Sequence, residues 1–191
     1  MGKYSLLPQR GFFPQPAYLI GTYKEDGNPN FALITWITFC SVNPPMIMFA
    51  SRGKKMTREL VEKNGMFSAN LVTNNMMLMA DYFGNTSGYE KNKCEEINAE
   101  YSMGSILNVP VLKESPWVYE CSLVDVIAKG SGYIYIGEIN NILVDEAIEE
   151  TGYGNIDMIK VDPLIYAPGQ YYRITESIGT VGFSKKIKLN E

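Results

Sequence analysis

The run Ser51-Arg52-Gly53-Lys54-Lys55-Met56-Thr57 sets three cations, a glycine and two hydroxyls in front of a segment that reads as a short helix. A helix start presents unpaired backbone N–H groups and a positive dipole end, and both suit an anion. On this reading Arg52 grips phosphate oxygens with its forked guanidinium and Thr57 donates its hydroxyl. The plain alternative is a solvated basic loop with Thr57 as an ordinary N-cap. The glycine spacing excludes a nucleotide P-loop. Upstream, Thr35-Trp36-Ile37-Thr38 precedes the turn Asn43-Pro44-Pro45. Strand Thr and Trp commonly serve packing. Beside a phosphate-sized site they also suit a flat, partly polar, phosphorylated ligand, and a flavin mononucleotide (FMN) fits that description.

Other chemistry is excluded or left without support. The chain has no histidine, so it carries neither a Ser-His-Asp nor a Cys-His device, and no imidazole base or metal ligand. A redox cofactor is then the economical source of any enzyme chemistry. Cys40, Cys94 and Cys121 form no CxxC pair, which argues against a structural metal. Asp81 and Glu138 are candidate carboxylates, with no paired partner in the pattern. Asn30 and Asn70 read as strand-end polar residues, and Lys91 and Lys93 as solvated loop cations. Residues 76–79 supply methionine and leucine to a helix core.

The 191 residues, 46% hydrophobic and 20% charged, imply one globular domain with ample core material. A net charge of -4 argues against nucleic acid as the partner. No segment approaches the ~20 apolar residues of a membrane helix. The opening Met1–Ser5 reads as no secretory leader, and the odd cysteine count fits a reducing cytoplasm.

These residues must be positioned by a mainly β fold. Residues 17–23, the long stretch Phe31–Val42, and Met46–Ala50 read as three strands of an antiparallel meander, with turns at 25–29 and 43–45. Thr57–Lys63 reads as a helix closed by Asn64-Gly65. Phe67–Val72 reads as a strand, and Asn74–Phe83 as a second helix. Thr86–Pro110 reads as a long ligand-side loop with short helical turns. Trp117–Ile127 and Tyr133–Val144 are long strands joined by a hairpin at Lys129-Gly130-Ser131-Gly132. A helical turn at Glu146–Glu150, strands at Ile156–Val161 and Leu164–Tyr166, and a charged tail over 184–191 follow. The pattern suits a closed or split antiparallel barrel with a few short peripheral helices.

An ordered set of motifs carries a resemblance. Asn30, Thr35-Trp36-x-Thr38, Asn43-Pro44-Pro45, Ser51-Arg52, Thr57 and Gly65-Met66-Phe67-Ser68-Ala69-Asn70 resemble the flavin reductase-like family, and most nearly its flavoredoxin-like subgroup. The likeness continues through Tyr89–Lys93, Glu120-Cys121 and Gly137-Glu138-Ile139, and covers about residues 12–182 of a single domain. It implies a Greek-key, FMN-binding split barrel that works as a homodimer, with flavin near the subunit interface. Asn30 and Trp36 would then flank the ring, and the backbone over Thr35, Trp36, Ile37 and Thr38 would meet its polar edge or the ribityl chain. Ser51, Arg52 and Thr57 would hold the phosphate, Met56 would stand with them among the cofactor-binding residues, Lys93 would assist, and Asn70 would lie near the same pocket. NAD(P)H is the implied donor, with a redox protein or small molecule as acceptor. Two alternatives stand beside this: a non-catalytic FMN carrier or sensor, and an oxidase of the pyridoxamine-phosphate type. The chain departs from the family where a histidine often precedes the late Gly-Glu pair. Ser131, Gly132 and Tyr133 stand there instead, and this bears on direct nicotinamide oxidation.

Overall fold

The computed structural model describes residues 2–10, 13–148 and 156–186. Strands β1 (Gln15–Pro16), β2 (Tyr18–Tyr23), β3 (Pro29–Ile34), β4 (Ile37–Val42) and β5 (Pro45–Arg52) come first. Helix α1 (Met56–Asn64) leads into β6 (Met66–Leu71), and a 3-10 turn at Asn74–Met76 opens α2 (Met77–Asn85). Then come α3 (Lys93–Glu96), β7 (Tyr101–Met103), β8 (Pro110–Leu112), β9 (Trp117–Lys129) and β10 (Gly132–Val144). Helix α4 (Met158–Val161), β11 (Leu164–Ala167), β12 (Gln170–Arg173) and a 3-10 turn at Phe183–Lys186 follow.

Seven strands form one antiparallel sheet in the order β3-β2-β6-β9-β10-β5-β4. Its two edge strands are neighbours in sequence, separated by Thr35-Trp36. The sheet therefore curls so that β3 comes against β5, and at the linker the Trp36 carbonyl accepts the Ala50 N–H at 2.8 Å. This is the expected split antiparallel barrel with short peripheral helices.

The expected long strand Phe31–Val42 is broken at this seam. Every residue in it suits a strand, so composition hides the break. The cause is tertiary, because the first half pairs with β2 and the second with β5. The expected three-strand meander is likewise two hairpins, β2-β3 and β4-β5, at opposite edges of the sheet.

Adjacent residues in a strand face opposite sides, and here both sides of β2 are covered. Ile20 joins Ile37, Ile47, Phe49, Val61, Phe67, Tyr119 and Tyr135 inside the curl. Leu19 joins Phe31, Val72, Met76, Ala80, Phe83 and Leu164 in an outer layer beneath α2. Phe31, Phe49, Phe67 and Phe83 are fully buried, and each such ring contributes about 1.5–3 kcal/mol. Helix α1 buries Leu60 and Val61 and ends at Gly65, which takes φ +66° and donates its N–H to Val61.

Two further segments differ from expectation. Residues 158–161 form α4 rather than a strand. Asp157 accepts the N–H groups of Ile159 and Lys160 at 3.0 and 3.3 Å, which caps a helical turn. The segment Thr86–Pro110 holds the expected helical turn as α3, but it also supplies β7, which pairs with β8. Of the turn at Glu146–Glu150, residues 149 and 150 lie outside the described residues, as does 187–191 of the charged tail.

Candidate functional site

Strand β5 ends at Arg52, Gly53 turns the chain at φ +67°, and α1 begins at Met56. Lys55 occupies the N-cap position and makes no side-chain cap bond. The first-turn N–H groups of α1 thus have no capping side chain, which is the arrangement that accepts an anion. Thr57 is not the cap. It lies inside the first turn, is buried, and accepts a hydrogen bond from Asn30 Nδ2 at 2.8 Å. Its own hydroxyl proton remains free to donate. Arg52, Lys54 and Lys55 are exposed, and among the described residues none belongs to an ion pair. The Lys54 ammonium sits 5.4 Å from the Tyr89 ring centroid.

Behind this bend, Asn30 is held from the other side. A β-carbon on Gly88 would stand 2.3 Å from Asn30 Oδ1, so only glycine lets the 86–89 loop pass that close. Lys93, buried nearby, donates to the carbonyls of Phe31 and Phe83. Burial pushes its ammonium down to about 8. Cys94 opposes the shift, and the neighbouring cations Lys24 and Lys55 add to it.

Three adjoining lobes lie along the seam, each sharing wall residues with the next. The inner lobe, ≈ 220 Å³, is lined by Asn30, Ser51, Met56, Thr57, Gly88 and Lys93. The middle lobe, ≈ 480 Å³, shares Ser51 and Lys55 with it and adds Thr35, Trp36 and Arg52. The outer lobe, ≈ 540 Å³, keeps Thr35 and Trp36 and adds Ile37, Thr38, Met48 and Ile134. The volumes suit a cofactor-sized ligand. The polar inner end and apolar outer end suit one that is charged at one terminus and flat at the other.

Asn30, Thr35, Trp36, Ile37, Thr38, Ser51, Arg52, Met56, Thr57 and Lys93 thus all line these adjoining lobes. Asn70 is not among them. It is fully buried, and its amide is used up on the Leu19 carbonyl, the Ser68 hydroxyl and the Leu112 N–H, all at 2.9 Å. It ties β6 to β2 and β8. Several cleft residues carried no signal in the sequence. Gln9, Arg10 and Gln15 arrive from the N-terminal segment, and Tyr166 and Pro168 from the far end of the chain. Gln15 is buried with its side-chain carbonyl unpartnered. Gly88 had a faint signal, since its Ser-Gly-Tyr context lies in the segment read as ligand-side. Asp81 is engaged by Tyr171, whose hydroxyl donates to it at 2.8 Å.

A family model, the flavin reductase like domain, matches residues 10–175. The chain belongs to this family. The flavoredoxin of Desulfovibrio vulgaris (Miyazaki F) is 28% identical, with a TM-score of 0.86 over 96% of this chain and 100% of that one. The flavoredoxin of Methanosarcina acetivorans is 25% identical, with a TM-score of 0.88 over 97% and 99%. The 4-hydroxyphenylacetate 3-monooxygenase reductase component of Escherichia coli is 28% identical over 127 residues, 65% of this chain and 74% of that protein. An uncharacterised protein of Aeropyrum pernix is 25% identical over 162 residues, which is 82% of this chain and 60% of that protein. The chain thus spans less than two thirds of that last relative. Membership rests on the family model's span of residues 10–175, most of the chain. Among the described residues no helix is long and apolar enough to cross a membrane, and no group of three or more Cys, Asp or Glu side chains is placed to hold a metal.

Proposed function

We propose that the cleft holds FMN and that the protein is an FMN-dependent oxidoreductase. Its donor is NAD(P)H, and its acceptor is a redox protein or a small molecule. One observation carries this reading. The uncapped start of α1, with the Thr57 hydroxyl and unpaired Arg52 and Lys55, opens onto the same cleft as Thr35-Trp36. That donor set fits a phosphate monoester: backbone N–H groups, a hydroxyl and two cations converge, with no carboxylate lining the inner or middle lobe. Arg52 and Lys55 neutralise the anion, and Thr57, oriented by Asn30, donates to it. Trp36, at the seam, offers a flat face to a ring. The residues from Thr35 to Thr38 stand where the chain leaves one ladder for another, so their backbone is placed to meet a polar ring edge. The flavin, when bound, supplies the redox chemistry itself.

We also place the protein in the cytoplasm as a homodimer. Its cysteines are free thiols, and edge strand β4 displays Phe39 and Val42 at 57% and 92% exposure. An apolar edge of this kind calls for a cover.

The absence of histidine favours a second reading, a flavin carrier that does not oxidise nicotinamide itself. Anaerobic mixing of the FMN-loaded protein with NADH and with NADPH separates the two. Rapid bleaching of the flavin band is expected for the reductase, and an unchanged spectrum with both would leave the carrier.

A further inference from the structure

Arg58 differs from the exposed cations that precede it. Its side chain is 15% exposed, and its guanidinium lies 3.8 Å from the Tyr133 ring centroid. Its Nε donates to the Tyr135 hydroxyl at 2.7 Å, and that hydroxyl donates in turn to Glu62. One terminal nitrogen stands 3.7 Å from the Glu62 carboxylate, and the other donates to the carbonyl of Gly53. Tyr135 is fully buried and stacks on Phe49 at 4.9 Å with the rings 11° apart. Burial, joined by Glu62 and opposed by Arg58, pushes its hydroxyl up to about 12. It therefore stays protonated, accepting from Arg58 and donating to Glu62 at once.

Gly53 is the left-handed residue of the cationic bend. Glycine has the widest backbone freedom of any residue, so a bend built on it needs an outside hold to present Ser51, Arg52 and Lys55 in one geometry. Arg58 makes that hold. It lines neither the inner nor the middle lobe of the cleft, and its hydrogen bonds go to Tyr135 and Gly53.

We propose that Arg58 is a positioning residue of the anion site. Clamped by Tyr133, Tyr135 and Glu62, it fixes the Gly53 carbonyl and so holds the Arg52–Lys55 bend in the shape that receives a phosphate. The inference rests on the reading of that bend as the FMN phosphate site.

The test is titration of the purified protein with FMN and with riboflavin, which lacks the phosphate, across a small set of variants. Arg58→Met is expected to weaken FMN about tenfold, equivalent to about 1.4 kcal/mol, and to leave riboflavin within about twofold. Arg58→Lys keeps the charge but lacks the planar fork that spans a hydroxyl, a carbonyl and a ring face, so a loss of about fivefold or more is expected. Tyr135→Phe keeps the stack and removes the anchor, for about a threefold loss. Paired with Arg58→Met it should add nothing, because both act through one network. Full retention of FMN affinity in Arg58→Lys would assign the effect to charge alone and overturn the proposal. So would equal losses of FMN and riboflavin, or no loss in Arg58→Met. Should Arg58→Met not fold, the ratio of FMN to riboflavin affinity in Tyr135→Phe decides. Arg52→Ala serves as the control. If it leaves FMN binding unchanged, the phosphate reading itself falls, and the Arg58 proposal with it.

Discussion

Arg52 ends a strand, faces solvent, and has no carboxylate partner among the described residues. A phosphate in the cleft would give it a charge-assisted contact. Arg52→Ala is therefore expected to cost about 1.5–3 kcal/mol of FMN binding, read by fluorescence titration. Lys93 adds a pH dependence. Its ammonium is lowered to about 8 by burial, so it is a cation below that pH and neutral above it. A bound phosphate favours the cation. FMN affinity should therefore fall as pH rises through about 8, and Lys93→Met should flatten the profile. An affinity that is level from neutral to alkaline pH in the wild-type protein would remove Lys93 from the phosphate's surroundings. The residues of the bend were legible because a cluster of cations before a helix start is a local pattern. Asn70 was not legible in the same way. Whether a strand asparagine reaches a cleft or a core depends on which neighbours flank the strand, and β2 and β8 lie against it here.

At the level of elements, the least legible piece was β7 and the loop that follows it. Thr86–Pro110 is polar and rich in turn formers, and its stretch over residues 105–107 is held by a residue outside it. Glu120, fully buried in β9, accepts the N–H groups of Ser105, Ile106 and Leu107 at 2.9, 3.0 and 2.7 Å, and the Asn141 amide at 2.8 Å. A β-carbon on Gly104 would stand 2.5 Å from the same carboxylate, so the loop wraps it closely. Burial alone would raise the Glu120 carboxyl, but the donors from Leu107, Asn141, Ile106 and Ser105 outweigh it and hold the group below its ordinary value. The stability this contributes is fully present above the unfolded carboxyl pKa and is lost as pH falls through the lower folded value. Glu120→Gln leaves several buried donors short of an acceptor, and a loss of about 3 kcal/mol in urea unfolding at neutral pH is expected. The variant should also lose much of the acid sensitivity of the wild type. An unchanged midpoint would mean that the loop is held by other contacts. Helix α1 was legible from its Gly65 close, α2 from its apolar run, and the β9-β10 hairpin from its glycine turn. Helix α4 was not, because a four-residue helix rests on its Asp157 cap rather than on any periodicity.

For the molecule as a whole, the seam at Thr35-Trp36 is the decisive feature, and it is invisible locally. The sheet splits where β3 and β4 take different partners, and the split opens the cleft that joins the cationic bend to the indole. The same edge leaves Trp36, Phe39 and Val42 exposed. A dimer is therefore expected in sedimentation, and Phe39→Glu should shift it towards monomer. A wild-type monomer at tens of micromolar would contradict the homodimer. The central claim is that bend and seam form one site for a phosphorylated flavin. Equilibrium titration of the purified protein with FMN and riboflavin in parallel tests it most directly. Micromolar or tighter FMN binding, at least about tenfold stronger than riboflavin, is the expected result. No uptake of FMN, or equal affinity for the two, would contradict the account.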